Sequence, residues 1–275
     1  KITPSTKQEI LPIKIYKIKQ LQELENIELT REPFIVRCQE VLDDLNKIDK
    51  NLVFSKENIN ELIEANNYEK KDLTHEQYTK IIKSNKDYNI RINFKKIDNK
   101  VIKNIYDKIY ETQKNNLFKY TLNLCWMSKN NISTPLHNGL DSTQSINILL
   151  DGKKKWTVFD SKYINYLEKI FINSDGGQIV YNKEKKAFIQ NFDKKHNIHK
   201  IPYVYKGIQE YGDLMFFDDA NFHSVENLDK STNMYNIRYF KKKLKQPLTA
   251  SLFCIRTIVG IYNALQGKSH LSIFF

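Results

Sequence analysis

Cysteine is scarce in this chain of 275 residues: Cys38, Cys125 and Cys254 lie far apart, with no CxxC pair. An odd, sparse set argues against a disulfide scaffold and favours a reducing, intracellular compartment, cytoplasm or nucleus. Cys125 and Cys254 sit in apolar runs, where a free thiol packs as a small hydrophobe. Long apolar runs are missing too. No uncharged stretch reaches the roughly 18 residues that a membrane-spanning helix needs. The P-loop, the glycine-rich dinucleotide fingerprint and the serine nucleophile elbow are all absent, which sets those enzyme classes aside. Negative charge is in deficit, 32 Asp and Glu against 44 Lys and Arg, for a net charge of +12. The excess is spread along a chain rich in Lys, Asn and Ile, so it reads as a solvated basic surface; nucleic acid, an acidic protein and an anionic cosubstrate all stay open as partners. No internal repeat is present. The chain begins at Lys1, and targeting is not readable from it.

What is there divides by period. Residues 1–116 read as a mostly helical region. Within it, residues 32–38 form a short buried strand after a proline stop, and residues 39–115 are mainly helix. Thr74-His75-Glu76-Gln77 has the form of a capping box, with His75 as a surface helix residue. Asp98 opens a helix whose Val101, Ile102, Ile105, Tyr106, Ile109 and Tyr110 share one face. At Phe118 the period changes to two: Phe118, Tyr120, Leu122, Leu124 and Trp126 alternate with polar or small residues. Strands then dominate to about 241, at 144–150, 153–159, around Ile201, Tyr203 and Tyr205, at 213–217 and at 234–240. An insertion occupies 160–200, with one helix around Tyr163 to Phe171 and an exposed lysine-rich loop at 183–200. After Pro247, residues 249–265 form an apolar helix, which makes a homodimer plausible. Helices followed by strands predict an α+β fold around an antiparallel jelly-roll barrel, in three parts: 1–116, 117–246 and 247–275.

The chemistry-bearing residues cluster in the β-region. His137 stands in the polar loop Ser133-Thr134-Pro135-Leu136-His137-Asn138-Gly139-Leu140-Asp141, and His223 follows an apolar strand. Two histidines so placed suit a metal site on a β-scaffold, in which iron(II) takes two His and one carboxylate on one octahedral face. In that layout the second His comes from a later strand on the facing sheet. As buried residues, both are also compatible with an ordinary core. Asn147 is a polar residue on a strand of Ile and Leu, and a buried amide needs a partner. His196 and His199 are i,i+3 neighbours in a lysine-rich loop with no further ligand to complete a set.

Several ordered motifs resemble the JmjC and cupin-like hydroxylases, over about residues 117–241 with 32–38 upstream. Thr134-Pro135-Leu136-His137 is similar to that family's entry into its metal loop. Gly152-Lys153-Lys154-Lys155-Trp156 resembles its G-x-K-x-W hairpin. Gly212-Asp213-Leu214-Met215-Phe216-Phe217, then Phe222-His223 and Val225-Glu226-Asn227-Leu228, resemble its later strands. The resemblance implies a double-stranded β-helix with 2-oxoglutarate and Fe(II) as cofactors. It implies His137 and His223 as metal ligands and Lys154 as the cation that holds the distal carboxylate of 2-oxoglutarate, though Lys153 and Lys155 leave its register open by one residue. Thr134, Asn147, Tyr120 and Asn236 match positions lining the cosubstrate, and Trp156 matches core.

The pattern departs from the family at one place. Two residues after His137, where the family carries Asp or Glu, stands Gly139, which has no side chain to offer a metal. Asp141 supplies the carboxylate if the loop bulges, and a glycine eases that bend. Otherwise the site is a degenerate two-His pocket in a binding or scaffolding module. A glycine here also resembles 2-oxoglutarate-dependent halogenases, in which a halide fills the vacant position. The implied function is hydroxylation of a polypeptide side chain, with the inactive module as the alternative; no motif names the substrate.

Overall fold

The structure, a computed structural model, describes residues 8–48, 54–66, 69–84, 86–129, 134–138, 143–160, 170–172, 178–182, 187–188 and 201–242. Two short strands come first, β1 (Glu9–Pro12) and β2 (Lys14–Ile18), and the chain passes from one sheet to the other at Ile13 between them. A 3-10 turn (Leu21–Asn26), β3 (Phe34–Cys38) and α1 (Gln39–Leu45) follow. Next are β4 (Ile59–Asn66), β5 (Glu69–Asp72), α2 (His75–Lys83), β6 (Asn89–Phe94) and α3 (Lys100–Gln113). Beyond α3 the described elements are all strands: β7 (Leu117–Ser128), β8 (Thr134–Asn138), β9 (Thr143–Asp151), β10 (Lys154–Phe159), β11 (Ile170–Ile172), β12 (Gln178–Asn182) and β13 (Ala187–Phe188). The last four are β14 (Tyr203–Gln209), β15 (Leu214–Asp218), β16 (Phe222–Asn227) and β17 (Thr232–Lys241).

A nine-stranded sheet runs β2-β3-β15-β9-β17-β7-β6-β4-β5. An eight-stranded sheet runs β1-β14-β10-β16-β8-β12-β11, with β13 paired to β12. Among the described residues only β1/β14 and β2/β3 pair in parallel. The two large mixed sheets pack face to face, as in a β-sandwich, and neither closes into the barrel expected from the sequence. Closure requires the outermost strands of a sheet to pair with one another; here each sheet ends in separate edge strands, β2 and β5 or β1 and β11.

Strand β9 shows how the layers are held. Every residue from Thr143 to Leu150 is buried, and alternate residues go to opposite faces. Ile146, Ile148 and Leu150 enter a large core with Val36, Phe216, Tyr235 and Ile237, onto which α3 lays Ile102, Ile105, Tyr106 and Ile109. The helix starts where the Asn99 side chain accepts from the backbone N–H groups of Val101 and Ile102. Leu149 faces the other way, into a smaller core between the sheets, with Met215, Phe217 and Met234 from its own sheet and Trp156, Val158, Tyr205 and Val225 from the other. The large sheet therefore carries helices on one face and the second sheet on the other. Turn Gly212-Asp213 ties the layers together. Gly212 has φ +79°, and a Cβ there would lie 2.2 Å from Leu42 Cδ2. Asp213 accepts from Arg37 Nε at 3.1 Å and from the Glu210 N–H at 2.9 Å.

The N-terminal region corrects the sequence expectation. The capping box at Thr74 and Gln77 forms as anticipated, and α1, α2 and α3 are helices, but residues 1–116 also carry six strands rather than one. Ile90, Ile92 and Phe94 alternate with Asn89, Arg91 and Asn93, a period of two over six residues that is easily lost between helical patterns. Ile170 and Phe171, expected at the end of an inserted helix, lie in β11 and pair with Val180 and Ile179, as β-branched and aromatic residues favour. The rest of that helix, most of loop 183–200 with His196 and His199, and helix 249–265 lie outside the described residues. Among the described residues no helix is long and apolar enough to cross a membrane.

Candidate functional site

The site grows from the hairpin joining β9 to β10. Gly152 has φ +71°, and a Cβ there would meet the Ser231 carbonyl oxygen at 2.2 Å, so the turn requires glycine. That turn fixes the alternation of β10 and resolves which lysine enters. Lys153 and Lys155 reach outward to Glu210 and Glu226, whereas Lys154 goes inside with Trp156 and is only 4% exposed. Its Nζ donates to Asn227 Oδ1 at 2.6 Å and Thr232 Oγ1 at 3.2 Å. Both acceptors are neutral, and no described carboxylate pairs with it. Burial pulls its pKa from 10.5 down to about 7, against the opposing influence of the Cys125 thiol.

His223 opens the same inner face on β16. Its Nδ1 lies 2.9 Å from the Asn221 carbonyl oxygen. A carbonyl only accepts, so Nδ1 carries the hydrogen and Nε2 the lone pair, the tautomer in which metal-binding imidazoles are commonly held. The ring packs on Phe217 at 4.6 Å and near Trp156 at 5.9 Å. Burial lowers its pKa from 6.5 to about 4; the Asn221 hydrogen bond opposes this and the Arg238 charge adds to it.

His137 stands directly across from His223 in the β8/β16 ladder. The histidine strands are thus neighbours in one sheet, not on facing sheets as the sequence suggested. Residues directly opposite on antiparallel strands lie about 5 Å apart on one face, against about 10 Å between packed sheets. The side chains of His137 and Tyr120 lie outside the described residues, as do Gly139 and Asp141 entirely. Thr134 is half-buried and opposite Val225, one bulge away from the histidine pair. Among the described residues no three His, Cys, Asp or Glu converge on a metal position.

The opposing wall is a strip of polar side chains. On β9, Thr143, Ser145 and Asn147 precede Leu149 at every second residue; on β17, Thr232, Met234, Asn236 and Arg238 do the same, and both strands pair directly. The hydrogen bonds dictate the amide orientations. Arg238 Nε can only donate, and it meets Asn236 Oδ1 at 3.3 Å. Asn236 Nδ2 therefore turns to Ser145 Oγ and Asn147 Oδ1, each at 2.6 Å. Asn147 Nδ2 is then left, fully buried, with no acceptor among the described residues. Arg238 Nη1 pairs with Asp219 at 3.2 Å, and Asp219 also accepts from Thr143 Oγ1 at 3.0 Å.

Of the residues singled out in the sequence, Lys154, Asn147, Asn236 and His223 come together between the sheets. Asn227, Thr232, Asp219 and Arg238 join them and were missed. For Thr232 and Arg238 the signal was the period of two in β17, which sets them on one face with Asn236. No protein-family model matches the chain, and no curated protein matches it.

Proposed function

We propose that the chain is a JmjC-like oxygenase that uses Fe(II) and 2-oxoglutarate and hydroxylates a side chain of a polypeptide. Lys154 carries this reading: a lysine sealed between two sheets, with neutral acceptors only, is a costly feature whose missing counter-ion a ligand carboxylate would provide. The orphaned Nδ2 of Asn147 is a second donor suited to the same ligand, so the residues present fit a dicarboxylate. Strand order supports a double-stranded β-helix as the core: β7, β9, β15 and β17 are neighbours in one sheet, β8, β10, β14 and β16 in the other, all antiparallel. For the metal, His223 and His137 are opposite in register, and His223 carries its lone pair on Nε2. Asp141 is the candidate third ligand.

When bound, the iron and its cosubstrate supply the oxidising chemistry. The chain's own residues do the holding. Lys154 and Asn147 would fix the cosubstrate, the Asn221 carbonyl fixes the His223 tautomer, and Trp156 and Phe217 exclude water around the imidazole. The test is anaerobic titration of iron(II) with 2-oxoglutarate into metal-free protein, following the visible charge-transfer band, together with turnover of 2-oxoglutarate to succinate. A band and turnover that His223→Ala abolishes are expected. A band lost also in Asp141→Ala identifies the third ligand, and no band at millimolar iron overturns the reading.

A catalytically silent cupin-like module is the second reading, and Gly139 favours it, standing where the resemblance calls for a carboxylate. Such a module binds no iron yet keeps its partner after His223→Ala.

A further inference from the structure

At the far end of the polar strip from Lys154, Arg238 has more donor capacity than its neighbours use. Its side chain is 17% exposed and its ion pair with Asp219 runs through Nη1 alone. Nε is taken by Asn236, and no described acceptor engages Nη2. Asp219 divides its own capacity with Thr143. Asn236, which accepts from Arg238, donates in turn to Asn147, 1% exposed, whose own Nδ2 is unclaimed. Two cationic side chains and one buried carboxylate line the described strip, and unfilled donors stand at both ends. That is the composition of an anion site.

Distance selects the kind of anion. Lys154 Nζ lies at Thr232 and Arg238 Nε at Asn236. Four residues of strand separate these two positions, about 13 Å at about 3.3 Å per residue. An extended five-carbon dicarboxylate measures about 7 Å between its outer oxygens. A charge-assisted hydrogen bond of about 2.8 Å at each end brings the span to about 12–13 Å. That span matches the separation of the two positions along β17.

We propose that Arg238 and Asn147 grip one carboxylate of a five-carbon dicarboxylate whose other carboxylate Lys154 holds, so that this chain binds the diacid without a metal ion. The proposal rests on the polar strip being a dicarboxylate site, as in the reading above, and adds the end at which the guanidinium supplies the charge that a metal would bring. It accommodates Gly139, because a ligand held at both ends by side chains needs no metal.

Glutarate tests it, having both carboxylates at the right separation and no 2-oxo group to chelate a metal. Calorimetric titration of the whole chain with glutarate in chelator should show binding, weakened at least tenfold by Arg238→Gln and by Lys154→Met, with Arg238→Lys intermediate. On the unaltered chain, butyrate, with a single carboxylate, should bind at least tenfold more weakly than glutarate. This comparison decides the matter even where a variant fails to fold. Equal affinity for butyrate and glutarate, or an Arg238→Gln chain that binds glutarate as the parent does, overturns the two-ended grip. Binding of 2-oxoglutarate only after iron(II) is added, unaffected by Arg238→Gln, overturns it while leaving the oxygenase reading standing. No binding of either diacid with or without iron(II) overturns both.

Discussion

Replacing Lys154 by Met should stabilise the protein near neutral pH and lose that advantage as the solution becomes alkaline. The amino group is buried among neutral partners, and its pKa falls from 10.5 to about 7. Below pH 7 the lysine is charged in both the folded and the unfolded chain, and the folded state bears the whole burial penalty. Between pH 7 and 10.5 the unfolded chain binds more protons than the folded one, so stability rises with pH. At about 1.36 kcal/mol for each pH unit, the penalty below pH 7 is about 4–5 kcal/mol. Methionine fills the same volume without charge but deprives Asn227 Oδ1 and Thr232 Oγ1 of a donor, which costs about 1–2 kcal/mol. Lys154→Met is therefore expected to be about 2–4 kcal/mol more stable at pH 6 and no more stable, or slightly less, at pH 10. Urea unfolding of both chains at unit steps from pH 6 to 10 measures the difference directly, since the other titrating groups are shared and largely cancel. A difference that stays constant with pH, or a variant less stable than the parent at pH 6, would refute the claim that Lys154 is buried without a counter-ion.

Two further outcomes follow from the frame around the site. Arg37→Met should cost about 2–3 kcal/mol at pH 7, because it leaves the buried Asp213 carboxylate without its cation. The loss should shrink as the pH falls into the acid range, because burial already raises the pKa of Asp213 and the carboxylate takes up a proton more readily; a loss that does not change with pH would show that packing rather than charge is at stake. Gly152→Ala should lower the urea midpoint by at least the equivalent of 2 kcal/mol, since the new Cβ meets the Ser231 carbonyl and the backbone is left-handed there. A midpoint within error of the parent would mean that the hairpin relaxes freely and does not fix the register of Lys154.

The strands of the β-region were legible because β7, β9, β10 and β17 keep a period of two and β15 is a short, continuous apolar run, and each falls within a few residues of where its pattern sets it. Lys154 needed the structure, since three consecutive lysines give no periodic signal until the Gly152 turn fixes which one points inward. Strand β6 was hidden by its length, with helical patterns on both sides. Arg238 was hidden by its chemistry. An arginine on an alternating strand is ordinarily a solvent-side residue, and it becomes an interior one only because Asp219, far away in sequence, lies beneath it. The histidine pair was legible as residue types and misread as topology, because sequence spacing does not say that β16 inserts next to β8 within one sheet.

The two cores divide the labour of the molecule. The helix-side core joins α1, α2 and α3 to the large sheet through Tyr78, Ile105, Tyr106 and Tyr235 among others, and carries the bulk of the apolar burial. The inter-sheet core is small, and polar side chains occupy much of the face where more Leu or Val would be more stable. Lys154, buried beside neutral acceptors only, costs the fold stability that a ligand carboxylate would offset. Stability surrendered in this way at one end of a sandwich, while the other face is packed apolar, is the usual physical signature of a binding site. The oxygenase reading calls for an anionic ligand at Lys154, whereas a module that only binds a partner does not, so the buried cation weighs toward the first.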